Sequence, residues 1–308
     1  MANNNNFFCD LETGICGVPG EEPIGIINLT KKRKTIDVYY VTDPICSHCW
    51  GLEPVLRRFK KQYGQYFHFH TVMGGLLEKW GDGPVDPANG IYVPEDVAGH
   101  WQEVGKSTRM PIDGSVMIHH PVQSSYPPSR VFKVIQKHYG NDQANIFLRR
   151  AREALFVFNQ NISAKEVLIT IVDQLGFAGK EIVELAESDF GQELLNEDLK
   201  LAAEIGVRGF PAIIMINEQN QAVKIVGNRP LENYISGLSR LLDEDVVPDS
   251  PPSFARLLAE EKLLFAKEIE VMYELEKDEL FSFIEKQLTP GTYEVKELLG
   301  EPYVVKRS

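Results

Sequence analysis

Two cysteines separated by two residues, Cys46 and Cys49, are the residues of this sequence best suited to chemistry. They stand between a segment that predicts a strand and one that predicts a helix, so Cys46 is expected at a helix N-terminus. Free N–H groups and the helix dipole stabilise a thiolate there. A protonated His48 would lower the pKa of Cys46 further. Such a pair can cycle between dithiol and disulfide, with the first sulfur as nucleophile and leaving group. We expect Cys46 to be solvent-accessible and Cys49 to be more deeply buried.

The cysteines also have other interpretations. A CxxC pair can be half of a zinc site, which usually needs a second pair of ligands, or it can be inert. Its position between strand and helix of a βαβ unit is typical of a redox motif, and we favour that interpretation. For Cys9 and Cys16, which six residues separate, three interpretations stay open: a second disulfide, weak candidates for zinc ligands, or free thiols. We predict no cofactor.

The segments around Cys46 predict a βαβ unit. Residues 36–42 are β-branched and aromatic and predict a buried strand. Residues 50–63 have apolar side chains at helical spacing, and residues 66–73 predict a second strand. This order implies a right-handed crossover between parallel strands.

A second motif, Val207-Arg208-Gly209-Phe210-Pro211, precedes a predicted strand over 212–216. A turn over 217–221 joins this strand to another predicted strand over 222–226, so the two predict a hairpin. Proline suits the first residue of a strand because it has no N–H. An ordinary trans proline in a turn is the alternative, but with a CxxC upstream we predict a cis Phe210–Pro211 bond. It would leave the Phe210 backbone free to pair with an extended peptide. Trp50 is predicted as a cover over the active site, with core packing as the alternative, so Phe210 and Trp50 are the predicted substrate-binding residues.

These motifs together resemble the DsbA family of thioredoxin-fold proteins, especially its cytosolic FrnE-like branch. The resemblance covers roughly residues 36–243 and rests on residues 43–51 (DPICSHCWG), 73–76 (MGGL) and 206–211 (GVRGFP). It implies that Cys46 attacks, Cys49 resolves, His48 tunes Cys46 and Pro211 is a cis-proline that faces the disulfide. The Ser47-His48 dipeptide departs from the Pro-His of the periplasmic oxidant, so the redox potential does not follow from the resemblance. Because no export signal is expected, reduction, isomerisation or redox sensing fits better than strong oxidation of secreted proteins.

The predicted fold class is α/β: a thioredoxin fold with an inserted helical domain and a small C-terminal helix–strand appendage. A proline-rich stretch at 247–252 predicts a linker. Beyond it, residues 254–275 and 278–288 predict helices, and residues 292–295 and 303–306 predict short strands. The predicted parts are an irregular N-terminal arm (1–35), a thioredoxin-like domain (36–80 and 200–245), the inserted helical domain (81–199) and the appendage (254–308).

The appendage brings a second resemblance. A DsbA-like domain followed by a helix–strand unit is similar to the Spx adaptor proteins of Gram-positive bacteria, which present a transcription regulator to the ClpXP protease. Two functions are therefore expected. The first is a thiol–disulfide oxidoreductase or isomerase of protein or small dithiol substrates, and the alternative is an adaptor whose partners are an Spx-type regulator and ClpXP.

Composition limits the partners. The 308 residues include 44 acidic and 32 basic side chains, a net charge of −12, so binding of nucleic acid by bulk electrostatics is not expected. No apolar run approaches the ~18 residues of a membrane span. The first residues, MANNNNFF, lack the features of a signal peptide, and we expect a cytoplasmic protein.

Overall fold

Two short strands lie near the N-terminus, β1 (Phe8–Asp10) and β2 (Ile15–Gly17). They pair antiparallel, with Cys9 opposite Cys16 in the backbone register. The expectation of an irregular arm is therefore wrong for these two segments, because their backbone groups pair with each other.

The computed structural model describes residues 8–10, 15–17, 35–81, 86 and 89–307. The chain divides into two compact units, 1–33 and 34–308. Within the described residues, no helix combines the length and the hydropathy that a membrane span needs.

A four-stranded mixed sheet organises the second unit. Its strands are β3 (Ile36–Thr42), β4 (Phe67–Met73), β5 (Ala212–Ile216) and β6 (Ala222–Val226), in the order β4-β3-β5-β6. β3 runs parallel to β4 and antiparallel to β5, and β6 continues the sheet antiparallel to β5. The predicted strands and the predicted β5–β6 hairpin are confirmed.

The helix predicted after β3 is divided in two, α1 (Ser47–Gly51) and α2 (Glu53–Tyr63). Pro54 explains the division, because proline has no N–H to donate to the carbonyl four residues earlier. The hydrogen bonds on either side, from Leu52 N to His48 O and from Leu56 N to Leu52 O, are intact. Cys49 thus lies on a short helix of five residues.

Between β4 and β5 the chain is mainly helical, as predicted. The helices are α3 (Asp96–Thr108), α4 (Val116–His119), α5 (Tyr126–Tyr139), α6 (Asn141–Arg152), α7 (Lys165–Gln174), α8 (Gly179–Glu187) and α9 (Asp189–Glu204). A π-helical turn, Glu153–Val157, follows α6 directly. The boundary predicted between residues 199 and 200 falls inside α9, whose Ala202 packs in one cluster with Val41 and Ile214 of the sheet.

After α10 (Leu231–Leu242) and the proline-rich stretch, the chain forms a C-terminal module. We define it as α11 (Phe254–Glu261), β7 (Leu263–Phe265), α12 (Ala266–Tyr273), α13 (Leu280–Gln287), β8 (Tyr293–Leu298) and β9 (Glu301–Lys306). Its strands form a separate sheet in the order β7-β9-β8. The single helix predicted over 254–275 is wrong, because β7 interrupts it to pair with β9.

The C-terminal module shares buried structure with the rest of the second unit. It has an apolar core of its own, yet Leu263 and Phe265 belong to the larger core of the inserted helices. Ion pairs also join the module to the rest of the unit. The fully buried carboxylate of Glu268 accepts hydrogen bonds from Nη1 and Nη2 of Arg149, at 2.6 and 2.9 Å, and from Nη2 of Arg57 at 3.0 Å. The free-energy cost of burying these charges is offset only while all the partners are present.

This network makes a stability prediction. In Glu268→Gln, the buried guanidinium groups of Arg149 and Arg57 lose their shared negative charge. We expect the free energy of unfolding, measured by urea titration, to fall by about 3–5 kcal/mol. Glu187→Gln removes a carboxylate from an exposed pair with Lys165 and should leave the unfolding midpoint nearly unchanged. Equal effects of the two substitutions would contradict the role of Glu268.

Candidate active site

The two cysteines lie at the start of α1, behind the C-terminal end of β3. Cys46 is the N-cap residue, and its Sγ accepts a hydrogen bond from the backbone N–H of Cys49 at 3.2 Å. Both thiols are free. This confirms the predicted position of Cys46 at a helix N-terminus.

Cys46 is nevertheless not solvent-accessible, which corrects our expectation. Cys46 is only 5% exposed and Cys49 is fully buried. The inserted domain covers this end of the sheet: α3 approaches α1 so closely that a Cβ at Gly51 would lie 2.6 Å from Thr108 Cγ2. A glycine in this position is therefore required for the two helices to pack.

Phe210 and Pro211 lie at the same end of the sheet. The Phe210–Pro211 bond is cis, as predicted. β5 begins directly after it, and Ala212 pairs with Val41 near the end of β3. Pro211 therefore lies beside the loop that leads from β3 to Cys46.

The Met73-Gly74-Gly75-Leu76 segment makes room for Phe210. Gly74 donates its N–H to Thr42 O at 2.7 Å, which fixes the segment beside the end of β3. A Cβ at Gly74 would lie 2.0 Å from the ring of Phe210. Gly74 thus leaves room for the half-buried Phe210 ring next to the backbone.

Trp50 has a different place from the one predicted. Its side chain is fully buried, and Nε1 donates to Pro111 O at 3.1 Å. The ring stacks near Phe156 and meets Phe265 of β7 edge-on. The prediction of Trp50 as a substrate-binding cover is therefore wrong, since the inserted helices and the C-terminal module enclose the ring.

A buried arginine completes the site, and our sequence analysis did not single it out. Arg152, at the end of α6, is fully buried. Its Nη2 donates to Thr42 Oγ1 at 2.6 Å and to Asp43 O at 3.1 Å, and its Nη1 pairs with Glu53 at 2.5 Å. The sequence did hold a signal, because Arg152 shares the apolar face of its helix with Leu148 and Leu155 at helical spacing.

The positive charge of Arg152 acts on the two thiols. Burial raises the pKa of Cys46 well above its ordinary value, and the neighbouring Cys49 adds to the effect. Burial alone would also raise the pKa of Cys49, but hydrogen bonding to Cys46, the charge of Arg152 and a hydrogen bond from Thr42 outweigh it and lower that pKa. The positive charge of Arg152 therefore favours a thiolate within the pair, whereas burial opposes the thiolate that we expected on Cys46.

His48 lies beside the pair but is less cationic than expected. Burial, and then the charge of His100, lower its pKa. The two imidazole rings are 5.7 Å apart between centroids, edge to face. The expected stabilisation of a Cys46 thiolate by protonated His48 is therefore weakened at neutral pH.

Asp43 fixes the loops around the cysteines. This fully buried carboxylate accepts N–H groups from Ile45 at 3.0 Å and Leu76 at 2.8 Å, and the hydroxyl of Ser125 at 2.8 Å. Burial raises its pKa to about 6, against the opposing effect of these hydrogen bonds. Asp43 thus ties the Cys46 loop to the segment after β4 and to the inserted domain.

The structure gathers four of the predicted site residues, Cys46, Cys49, Phe210 and Pro211, at one end of the sheet, with His48 next to them. The side chains of Cys9 and Cys16 lie outside the described residues, so the alternatives for them stay open. Among the described residues, no three His, Cys, Asp or Glu side chains group as metal ligands would.

Comparison with known proteins agrees with this geometry. The sequence profile of the thioredoxin family matches residues 39–236. The chain is 30% identical to the ClpXP adapter protein SpxH of Halalkalibacterium halodurans, over 93% of this chain and 91% of that protein. It is 26% identical to SpxH of Bacillus subtilis, over 80% of this chain and 81% of that protein. The chain therefore belongs to the thioredoxin family and, within it, to the family of the SpxH adapters.

Solved structures show the same fold. One is a Nitrosomonas europaea protein described as a protein disulfide isomerase. The match includes 68% of this chain and 97% of that protein, at 21% identity and a TM-score of 0.55. Another is the cytosolic disulfide reductase DsbM of Pseudomonas aeruginosa. This match includes 67% of our chain and 96% of DsbM, at 17% identity and a TM-score of 0.50. The predicted DsbA-like thioredoxin fold is confirmed, and both predicted classes of function occur among the similar proteins.

The site makes a prediction about Arg152. Arg152→Met removes a positive charge that lowers the pKa of both thiols, so the first thiolate should form at a pH higher by about one unit or more. Thiolate absorbance against pH measures this. Arg152→Lys, which keeps the charge, should shift the titration less.

Arg150→Met is the matched control. Arg150 lies two residues away on the same helix but pairs with Glu153. Its loss should leave the thiol titration in place. The prediction fails if Arg150→Met and Arg152→Met shift the titration equally.

Proposed function

We propose that this protein is an adaptor that presents a protein partner to the ClpXP protease in the cytoplasm. The observation that carries the proposal is the similarity to the Halalkalibacterium SpxH over 93% of the chain. A match of that extent must reach into the C-terminal module. The similar disulfide-exchange structures cover only about two thirds of the chain. The partner is an Spx-type regulator.

The geometry of the cysteines supports the adaptor function ahead of thiol–disulfide exchange. Cys46 is only 5% exposed, so a substrate disulfide reaches its sulfur only if the covering structure moves. The buried ion pairs of Glu268 fix the C-terminal module on the thioredoxin fold. A rigid body with two docked parts suits the binding of a partner, since little freedom is lost on association.

The adaptor function predicts an effect on proteolysis. Degradation of an Spx-type regulator by purified ClpXP should become several-fold faster when the full chain is added. The double variant Cys46→Ser/Cys49→Ser should accelerate it equally well, because binding does not require the thiols. Degradation that stays at its basal rate with the wild-type chain would rule the adaptor function out.

Thiol–disulfide exchange is the second candidate, and the CxxC beside a cis-proline is the specific observation that favours it. The Cys46 thiolate would attack one sulfur of a substrate disulfide, and the other substrate sulfur would leave and take a proton. Cys49 would then attack Cys46, release the second substrate thiol and leave a Cys46–Cys49 disulfide. The substrate is reduced by two electrons and the pair is oxidised. Because Cys46 is buried, its loop must open for the first step.

Trapping tests this candidate. In Cys49→Ala no resolving thiol remains at the pair, so a mixed disulfide through Cys46 should accumulate with an oxidised substrate such as insulin. Cys46→Ala is the matched control and should trap much less, because Cys49 is fully buried. Mass spectrometry identifies the bridged residue. Equal trapping by the two variants, or none by either, would argue against exchange at this pair.

A further inference from the structure

A cavity of about 490 Å³ lies where the thioredoxin-like domain, the inserted domain and the C-terminal module meet. The sheet contributes Tyr40 and Phe69, and α2 contributes the face around Lys60. The remaining walls come from α6 of the inserted domain and from the end of α11 in the C-terminal module. A volume of this size, at a junction between domains, is typical of sites for small molecules.

The charged side chains of this cavity are almost all paired with each other. Glu261 pairs with Arg57, and Glu260 pairs with Lys61 at 2.7 Å. Glu53 pairs with the buried Arg152. These acids and bases therefore largely neutralise one another.

Two charged side chains of the lining, Lys60 and the exposed Asp142, form no ion pair among the described residues. No carboxylate there lies within ion-pairing distance of Lys60 Nζ, and no hydrogen-bond acceptor is within reach. The ammonium lies 4.5 Å from the centre of the Phe69 ring. Burial lowers the pKa of Lys60. The charge of Glu53 opposes this effect, as do those of Asp142 and Glu261, while the charge of Arg57 adds to it. A cation with an aromatic face as its one close partner remains able to bind an anion.

The other walls define the rest of the ligand. Leu56, Phe69, Ile146 and Leu148 give the cavity an apolar side. We propose that this cavity binds a small carboxylate with an apolar body, whose carboxylate pairs with Lys60. The site is separate from the cysteines and depends on neither proposed function. Its ligand would contact the sheet, the inserted domain and the C-terminal module at once, and would therefore stabilise their association.

Benzoate is the probe, and benzamide is its neutral control of nearly the same shape. Calorimetric titration into the full chain should show benzoate binding, with benzamide at least ten-fold weaker. Lys60→Met, which keeps the length of the side chain but not the charge, should weaken benzoate binding at least ten-fold. Asp142→Asn should strengthen it, because a negative charge near Lys60 is removed.

Lys61→Met is the matched control, since Lys61 is the next residue but pairs with Glu260. Its affinity for benzoate should stay within two-fold of the wild type. A measurement on the wild-type chain does not depend on the folding of any variant: benzoate should slow acetylation of Lys60 by an amine-reactive reagent without slowing that of Lys61. The proposal is overturned if benzoate does not bind, if benzamide binds equally well, or if Lys60→Met binds benzoate like the wild type.

Discussion

The buried guanidinium of Arg152 is the interaction on which the arrangement of the site depends. It comes from the inserted domain, yet it bonds to Thr42 and Asp43 at the end of the central strand and pairs with Glu53 of α2. Removing an arginine from water is costly, and the cost is offset only by this full set of partners. The same charge lowers the pKa of the thiols beside it. One side chain therefore both joins these elements and acts on the thiol pKa values.

A second set of contacts extends from the cysteine helix to the C-terminal module. Trp50 follows Cys49 in α1 and meets Phe265 of the module. Arg149 lies 4.8 Å from the centre of the Trp50 ring and also binds Glu268 in α12. The module is thus held against the helix that carries the CxxC pair.

The fold by itself does not decide between binding and turnover, because one fold can carry unrelated functions. The decisive features are the share of the chain that is similar to the SpxH adapters and the burial of the two thiols. Similarity to the SpxH adapters continues beyond the thioredoxin fold. The cysteines keep the spacing of an exchange site but lie under the inserted domain. An adaptor that retains a protected redox pair agrees with both observations.

The sequence alone determined the features that depend on near neighbours in the chain. The spacing of Cys46 and Cys49 between strand and helix, the cis-proline before a hairpin and the inserted helices all follow from local patterns, and the structure contains each of them. The family resemblance rested on the same local motifs. The division between α1 and α2 likewise has a local cause, since Pro54 has no N–H to donate.

Only the tertiary structure decided which of these residues are buried and which charges act on them. Trp50 lies in the core and not over the site because Phe156 and Phe265 enclose it from distant parts of the chain. The three residues of β7 form a strand within a helical pattern because β9 offers them a partner. The bond from Arg152 to Asp43 joins positions 109 residues apart. Local propensity carries no information about such contacts, because their free energy arises only when distant segments pack and exclude water.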